Sequence, residues 1–207
     1  MSFSTVTGST VTGFKLSAQQ QQIWQRQSEL GKAALTAQGR ISLRGPLDPV
    51  RLHGALQTVV KQFEIFRTTF QQTPGLKLPL QVIQAPGDVG WQVVDLTSAS
   101  KAAQTEAIEA FQEAEQLQIQ VSSQPCLRGV LFQQAAQDYT LLLTLPALCA
   151  DAQTFSILLG QLSHNYDATA PTGDEPVQYA QFAAWQDQLL SEPDPDAQFW
   201  QQQAQSA

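Results

Sequence analysis

The sequence predicts an α/β domain in which a mixed sheet is flanked by helices. Three stretches carry that expectation. Val50, Leu52, Leu56, Val59, Val60 and Phe63 recur at three- and four-residue steps, the period of a helix with one buried face. Arg40–Arg44 alternates polar and apolar residues, the period of a half-buried strand. Tyr139–Leu145 is apolar enough to lie at the centre of a sheet.

Taken in order, Met1 to Gly13 is rich in Ser, Thr and Gly and reads as a flexible arm, leaving 14–207 as the domain. Ser17 stands where an N-cap belongs, ahead of a helix to about Leu30 that Gly31 stops, with Ile23 and Trp24 on its buried face. Gly45-Pro46 ends the first strand. Asp48 and Pro49 then open the second helix, one as a cap and the other at the first helical position. Phe66–Gln71 and Leu78–Gln84 read as strands across the turn Thr73-Pro74-Gly75, and Trp91–Asp95 as another. Ser100 caps a long helix through Ala107, Ile108, Phe111 and Ala114, whose Gln and Glu residues face solvent. Leu127–Gln133 and Tyr139–Leu145 are expected to neighbour one another. A helix entered at Asp151 follows, carrying Phe155, Ile157, Leu158, Leu162 and Tyr166. After a loop at Pro171–Pro176, Val177–Leu190 is helical with Tyr179, Phe182 and Trp185 on one side. Pro193-Asp194-Pro195 separates it from a last short helix with Phe199 and Trp200.

Composition narrows the function. Of 207 residues, 43% are hydrophobic, enough for one good-sized core. Only 14% are charged, and glutamine runs such as Gln19–Gln22 and Gln201–Gln203 read as polar helix faces. A net charge of −7 without any basic cluster argues against nucleic acid. Nothing approaches the ~20 apolar residues of a membrane span, and no signal peptide is evident, so a cytoplasmic location is expected. Cys126 and Cys149 are too few for a disulfide framework or a metal cluster; each lies in an apolar neighbourhood, and Cys149 has no basic neighbour to activate it. No cofactor or metal is implied, since phosphate loops, metal-ligand spacings and nucleophile elbows are absent from the sequence. His53 and His164 lie on helices far along the chain from the strand-to-helix corner at Leu145–Ala152. Glu106/Glu109 and Glu113/Glu115 read as solvated carboxylates, and Glu64 as packing or pairing locally. The corner itself offers Pro146, Ala147, Leu148, Cys149, Ala150 and Asp151, of which only Asp151 is ionised at neutral pH.

Several motifs, in order, resemble the first half of a condensation domain of nonribosomal peptide synthetases. Leu16-Ser-Ala-Gln-Gln-Gln-Gln-Ile-Trp24 resembles that family's opening "LS-AQ…-W". Phe63-Glu-Ile-Phe-Arg-Thr-Thr-Phe70 is similar to "HE-LRT-F". Leu145–Ala152 falls where the family carries "HH-x-x-x-DG". Tyr179-Ala-Gln-Phe-Ala-Ala-Trp185 resembles "Y-DYA-W", and Phe199-Trp200 the "YW" beyond it. The resemblance implies half of a chloramphenicol-acetyltransferase-like fold, two such halves enclosing a tunnel in which a histidine assists attack of an amine on a thioester. Here Pro146 and Ala147 occupy the two histidine positions, Ala152 replaces the glycine, and Phe63 replaces the earlier histidine. A methyl group accepts no proton, and such help is worth about two to four orders of magnitude. Arg67 and Asp151 survive, and the resemblance implies that they form a structural ion pair.

The expectation is therefore a catalytically inactive, partial condensation domain rather than an enzyme, placed at the start of an initiation module. Met1 close to the first motif fits a start, and an adenylation domain is expected beyond Ala207. The domain would act as a platform for that neighbour in cis. The alternatives are half of a split acyltransferase completed by a partner chain, and a docking module for a carrier protein.

Overall fold

The computed structural model describes residues 6–7, 12–31, 35–122, 127–167 and 176–191. The chain opens with a short antiparallel pair, β1 (Val6–Thr7) and β2 (Thr12–Gly13), and Phe14 goes on to bridge Gln81. Helix α1 (Ala18–Glu29) begins with a full capping box. Ser17 Oγ accepts the Gln20 N–H, and Gln20 Oε1 accepts the Ser17 N–H, so two end-of-helix donors are satisfied. Gly31, at φ 63°, takes the left-handed conformation that ends the helix. Strand β3 (Thr36–Arg44) starts four residues before the alternating stretch that announces it. Helix α2 (Pro49–Gln62) is capped by Asp48 Oδ1, which accepts the N–H groups of Val50 and Arg51.

A 3₁₀ turn at Glu64–Arg67 follows, so the strand expected from Phe66 begins only at Thr68. Strands β4 (Thr68–Gln71) and β5 (Leu80–Ile83) pair antiparallel, and Gly75 takes φ 87° in the turn between them. Strand β6 (Gly90–Asp95) leads through α3 (Lys101–Gln118) to β7 (Arg128–Ala135), and a tight hairpin returns as β8 (Asp138–Pro146). Helices α4 (Ala152–Tyr166) and α5 (Tyr179–Ser191) complete the described fold. The short helix expected around Phe199 and Trp200 lies outside the described residues.

The main sheet runs β3-β8-β7-β6. Strand β6 pairs parallel with β7, and the other two pairings are antiparallel, which makes the sheet mixed. Strand β8 is central, as its apolar run requires, and its alternate side chains serve two cores. Leu141, Leu143 and Leu145 join the large cluster with α2 and α4 residues such as Leu56, Val59 and Leu158. Leu142 turns to the opposite face, with Val130, Phe132 and Ile108 of α3. The result is three layers: α3, the sheet, and the α2/α4 pair.

Three expectations need correction. Val50, expected in the buried stripe of α2, is 81% exposed in its first turn. Gln20 belongs to a glutamine run expected at the surface, yet it and Gln27 are the buried residues of α1, while Ile23 and Trp24 only pack against the core margin. Glu115, expected to be solvated, is 4% exposed, because the Arg128 guanidinium of β7 reaches its carboxylate at 2.5 and 3.1 Å. An ion pair formed across two elements leaves no local trace in the sequence.

Candidate functional site

Pro146 ends β8, and the chain turns through Ala147–Ala150 before Asp151 starts α4. Two backbone bonds set the corner: the Ala147 N–H donates to the Leu35 carbonyl at 2.7 Å, and the Cys149 N–H to the Pro146 carbonyl at 2.9 Å. Leu148 and Cys149 point into the core, and Cys149 forms no disulfide. Asp151 Oδ1 accepts both the N–H and the hydroxyl of Thr154 at 2.8 Å, completing a second capping box. These bonds hold the Asp151 carboxyl below its ordinary pKa, the Thr154 N–H contributing most.

The corner forms one wall of a cleft of about 650 Å³. Gln19 and Ile23 of α1, Phe63, Ile157 of α4, and Tyr179 and Phe182 at α5 line the rest. The lining is mainly apolar, includes no Lys, Arg or His among the described residues, and has Asp151 as its one carboxylate among them.

Buried amides hold this wall in place. Gln20 Nε2 donates to the Leu148 carbonyl and to Gln81 Oε1, both at 3.0 Å. Gln81 Nε2 donates to the Lys15 carbonyl at 2.7 Å. Gln178 secures the opposite wall: its Nε2 donates to the Gln62 carbonyl at 3.0 Å, and its Oε1 accepts the Glu64 N–H at 2.9 Å. The Tyr179 hydroxyl lies 2.8 Å from Ser17 Oγ. Burial pushes the Tyr179 phenol up; the Ser17 bond opposes this, while Cys149 and Asp151 add to it. The phenol is thus a neutral group at neutral pH.

Of the residues singled out in the sequence, Pro146, Ala147 and Asp151 lie together at the corner, and Arg67 does not join them. The expected Arg67–Asp151 ion pair is absent. Arg67 Nη2 pairs with Glu64 at 3.2 Å, and its Nη1 donates to the Gln84 carbonyl. The 3₁₀ turn puts Glu64 three residues away on the same face, so Arg67 finds a local partner while Asp151 is engaged by its own helix. Glu64 accordingly pairs locally, as expected. His53 stacks on Trp91, with ring centroids 5.3 Å apart and planes 7° apart, and does not line the cleft. His164 sits in the last turn of α4. Phe182 and Trp185 are exposed on α5, in tilted contact at 5.9 Å. Among the described residues, no group of three or more His, Cys, Asp or Glu is clustered to hold a metal ion, and no helix is long and apolar enough to cross a membrane. Cys126 lies outside the described residues.

Sequence reasoning missed the roles of Gln20, Gln81, Gln178, and the Ser17–Tyr179 contact. Ser17, Gln20 and Tyr179 do stand inside the quoted motifs. Gln81 and Gln178 carry no local signal.

Residues 12–207 match the family model described as "Condensation domain". Cyclosporin synthetase simA of Tolypocladium inflatum is 29% identical over 166 residues, 78% of this chain and 1% of that protein. Among solved structures, the SgcC5 protein of Streptomyces globisporus superposes with a TM-score of 0.71 and 25% identity, covering 99% of this chain and 43% of that one. The starter condensation domain of the rhizomide synthetase RzmA superposes with a TM-score of 0.73 at 19% identity, covering 86% of this chain and 44% of that one, a likeness of fold. The chain thus spans less than half of these solved chains and a very small part of the curated relative. The mixed sheet flanked by helices is the chloramphenicol-acetyltransferase-like arrangement that the motifs imply.

Proposed function

Because the chain belongs to the condensation-domain family, whose members are normally catalytic, while Pro146 and Ala147 stand where the family's histidines fall, we propose that it is a condensation domain without catalytic activity of its own. Its role is to serve a nonribosomal peptide synthetase as a platform for an adjacent adenylation domain. The observation carrying this reading is the corner itself. Its backbone and capping aspartate are in place, yet among the described residues no imidazole lines the cleft that would need one. General-base help of about two to four orders of magnitude is therefore missing. An initiation module, with no upstream peptide to condense, is the setting in which such a loss is tolerated. Deleting the segment from the intact synthetase should lower soluble yield or adenylation rate; unchanged yield and rate would remove the proposal.

A second reading treats the chain as half of an acyltransferase completed by a partner. The apolar cleft and exposed Phe182 and Trp185 favour it. Under that reading Ala147→His should raise condensation in the presence of the partner, and an unchanged rate would dispose of it. Use of the domain as a carrier-protein docking module would appear instead as saturable binding of a carrier.

A further inference from the structure

Helix α5 forms one side of the cleft but adds no side chain to either hydrophobic core. Its buried residues are Ala180 and Ala183, small side chains that gain little by leaving water. Its large apolar side chains, Phe182, Trp185, Leu189 and Leu190, are 39–69% exposed. The ring contacts of Phe182 with Tyr179 and with Trp185 lie within the helix and travel with it. Helix α2, whose Val59 also lines the cleft, instead buries Leu52, Ala55, Leu56, Val59 and Val60.

What holds α5 is polar. Just before its first turn, the buried Gln178 is fixed by bonds to the Gln62 carbonyl and the Glu64 N–H. Three bonds then reach the start of α1. Tyr179 meets Ser17 at 2.8 Å, Gln186 Oε1 accepts the Ala18 N–H at 3.1 Å, and Lys15 pairs with Asp187 at 2.8 Å. The last two are exposed, so water replaces them at small cost. Elements rich in solvent-accessible bonds and poor in buried apolar side chains open before a fold unfolds as a whole.

We infer that α5 is a lid: held at Gln178, it transiently releases its three bonds to α1 and opens the cleft while the sheet and both cores stay folded. Cys149 is 6% exposed and lines the cleft together with Tyr179, so opening lays its thiol bare. Thirteen residues make a helix that is marginal alone in water, so undocking also frees its amides to exchange. The lid controls entry to the cleft whatever the cleft receives. It does not rest on the platform reading, which concerns a neighbouring domain.

The test is amide hydrogen exchange on the full 207-residue chain, read by mass spectrometry alongside alkylation of the thiols. Amides of α5 should exchange at least about a hundredfold faster than those of central β8, and low urea should speed β8 but barely α5. Peptide mapping separates Cys149 from Cys126, and alkylation of Cys149 should share the weak urea dependence of α5. The double variant Gln186→Ala with Asp187→Ala removes two of the bonds to α1 without lowering helix propensity. It should speed α5 exchange and Cys149 alkylation about tenfold, the worth of one net hydrogen bond and one exposed ion pair, and leave β8 unchanged. The measurements on the unmutated chain decide the matter even if this variant folds poorly. Protection of α5 equal to that of β8, fraying of its last turn alone, or Cys149 alkylation as steep in urea as β8 exchange would each overturn the inference. So would a folded double variant that leaves α5 unmoved or speeds β8 equally.

Discussion

Gln20 does more for the corner than any residue within it. Its amide joins the start of α1, the buried Gln81 of β5 and the Leu148 carbonyl, all without access to water. Replacing it by leucine preserves bulk but takes a partner from three polar groups, the Ser17 N–H, Gln81 Oε1 and the Leu148 carbonyl, so Gln20→Leu should cost about 1–3 kcal/mol. A lower urea midpoint at an unchanged slope would record that loss. Asp151 acts more locally, since its carboxylate serves the first turn of α4. Loss of this cap in Asp151→Ala should cost about 1 kcal/mol at neutral pH. The folded-state pKa is held below the ordinary value of 3.8, so ionised Asp151 stabilises the fold above that value. That contribution fades as pH falls through the lower folded value. The gap between wild type and Asp151→Ala should therefore be full at pH 7 and narrow on acidification, as urea titrations across the range would show.

Between elements, the Glu115–Arg128 pair ties the last turns of α3 to the first residue of β7. Glu115 is buried and Arg128 only partly exposed, so removing one partner leaves a charge poorly solvated. Glu115→Ala should cost on the order of 3 kcal/mol. The double replacement Glu115→Leu with Arg128→Met removes both charges and should recover most of that loss, because desolvation offsets much of an ion pair's attraction. Chemical denaturation of the single and double variants separates the two terms. Glycine at position 39 of β3 has a different role: a Cβ there would stand 2.7 Å from the Phe155 ring of α4, so its absence permits the close approach of helix to sheet. The caps, the apolar stripe of α2 and the central position of β8 were legible because each depends on neighbours in sequence. The Glu115 carboxylate was not, since only the fold supplies Arg128.

For the whole molecule, the sheet separates two cores but does not make them independent folding units. Ile108 fills the α3 side and Leu158 the α2/α4 side, both essentially without exposure. Ile108→Ala and Leu158→Ala should each cost about 2–5 kcal/mol. With the sheet between them, the costs should add to within about 0.5 kcal/mol in the double variant. Unfolding should remain a single transition by fluorescence and circular dichroism alike.

By itself the sequence determined the α/β layering, the order of most elements, four helix starts and the absence of histidine from the corner. These follow from periodicity, capping and residue identity, which act over a few positions. Tertiary structure alone decided which glutamines are buried, that Arg67 pairs with Glu64 rather than Asp151, and that the Ser17 hydroxyl meets that of Tyr179, 162 positions away. Such contacts join groups that are individually ordinary, and only the packing of α1 against α5 beside the cleft brings the two hydroxyls within hydrogen-bond distance.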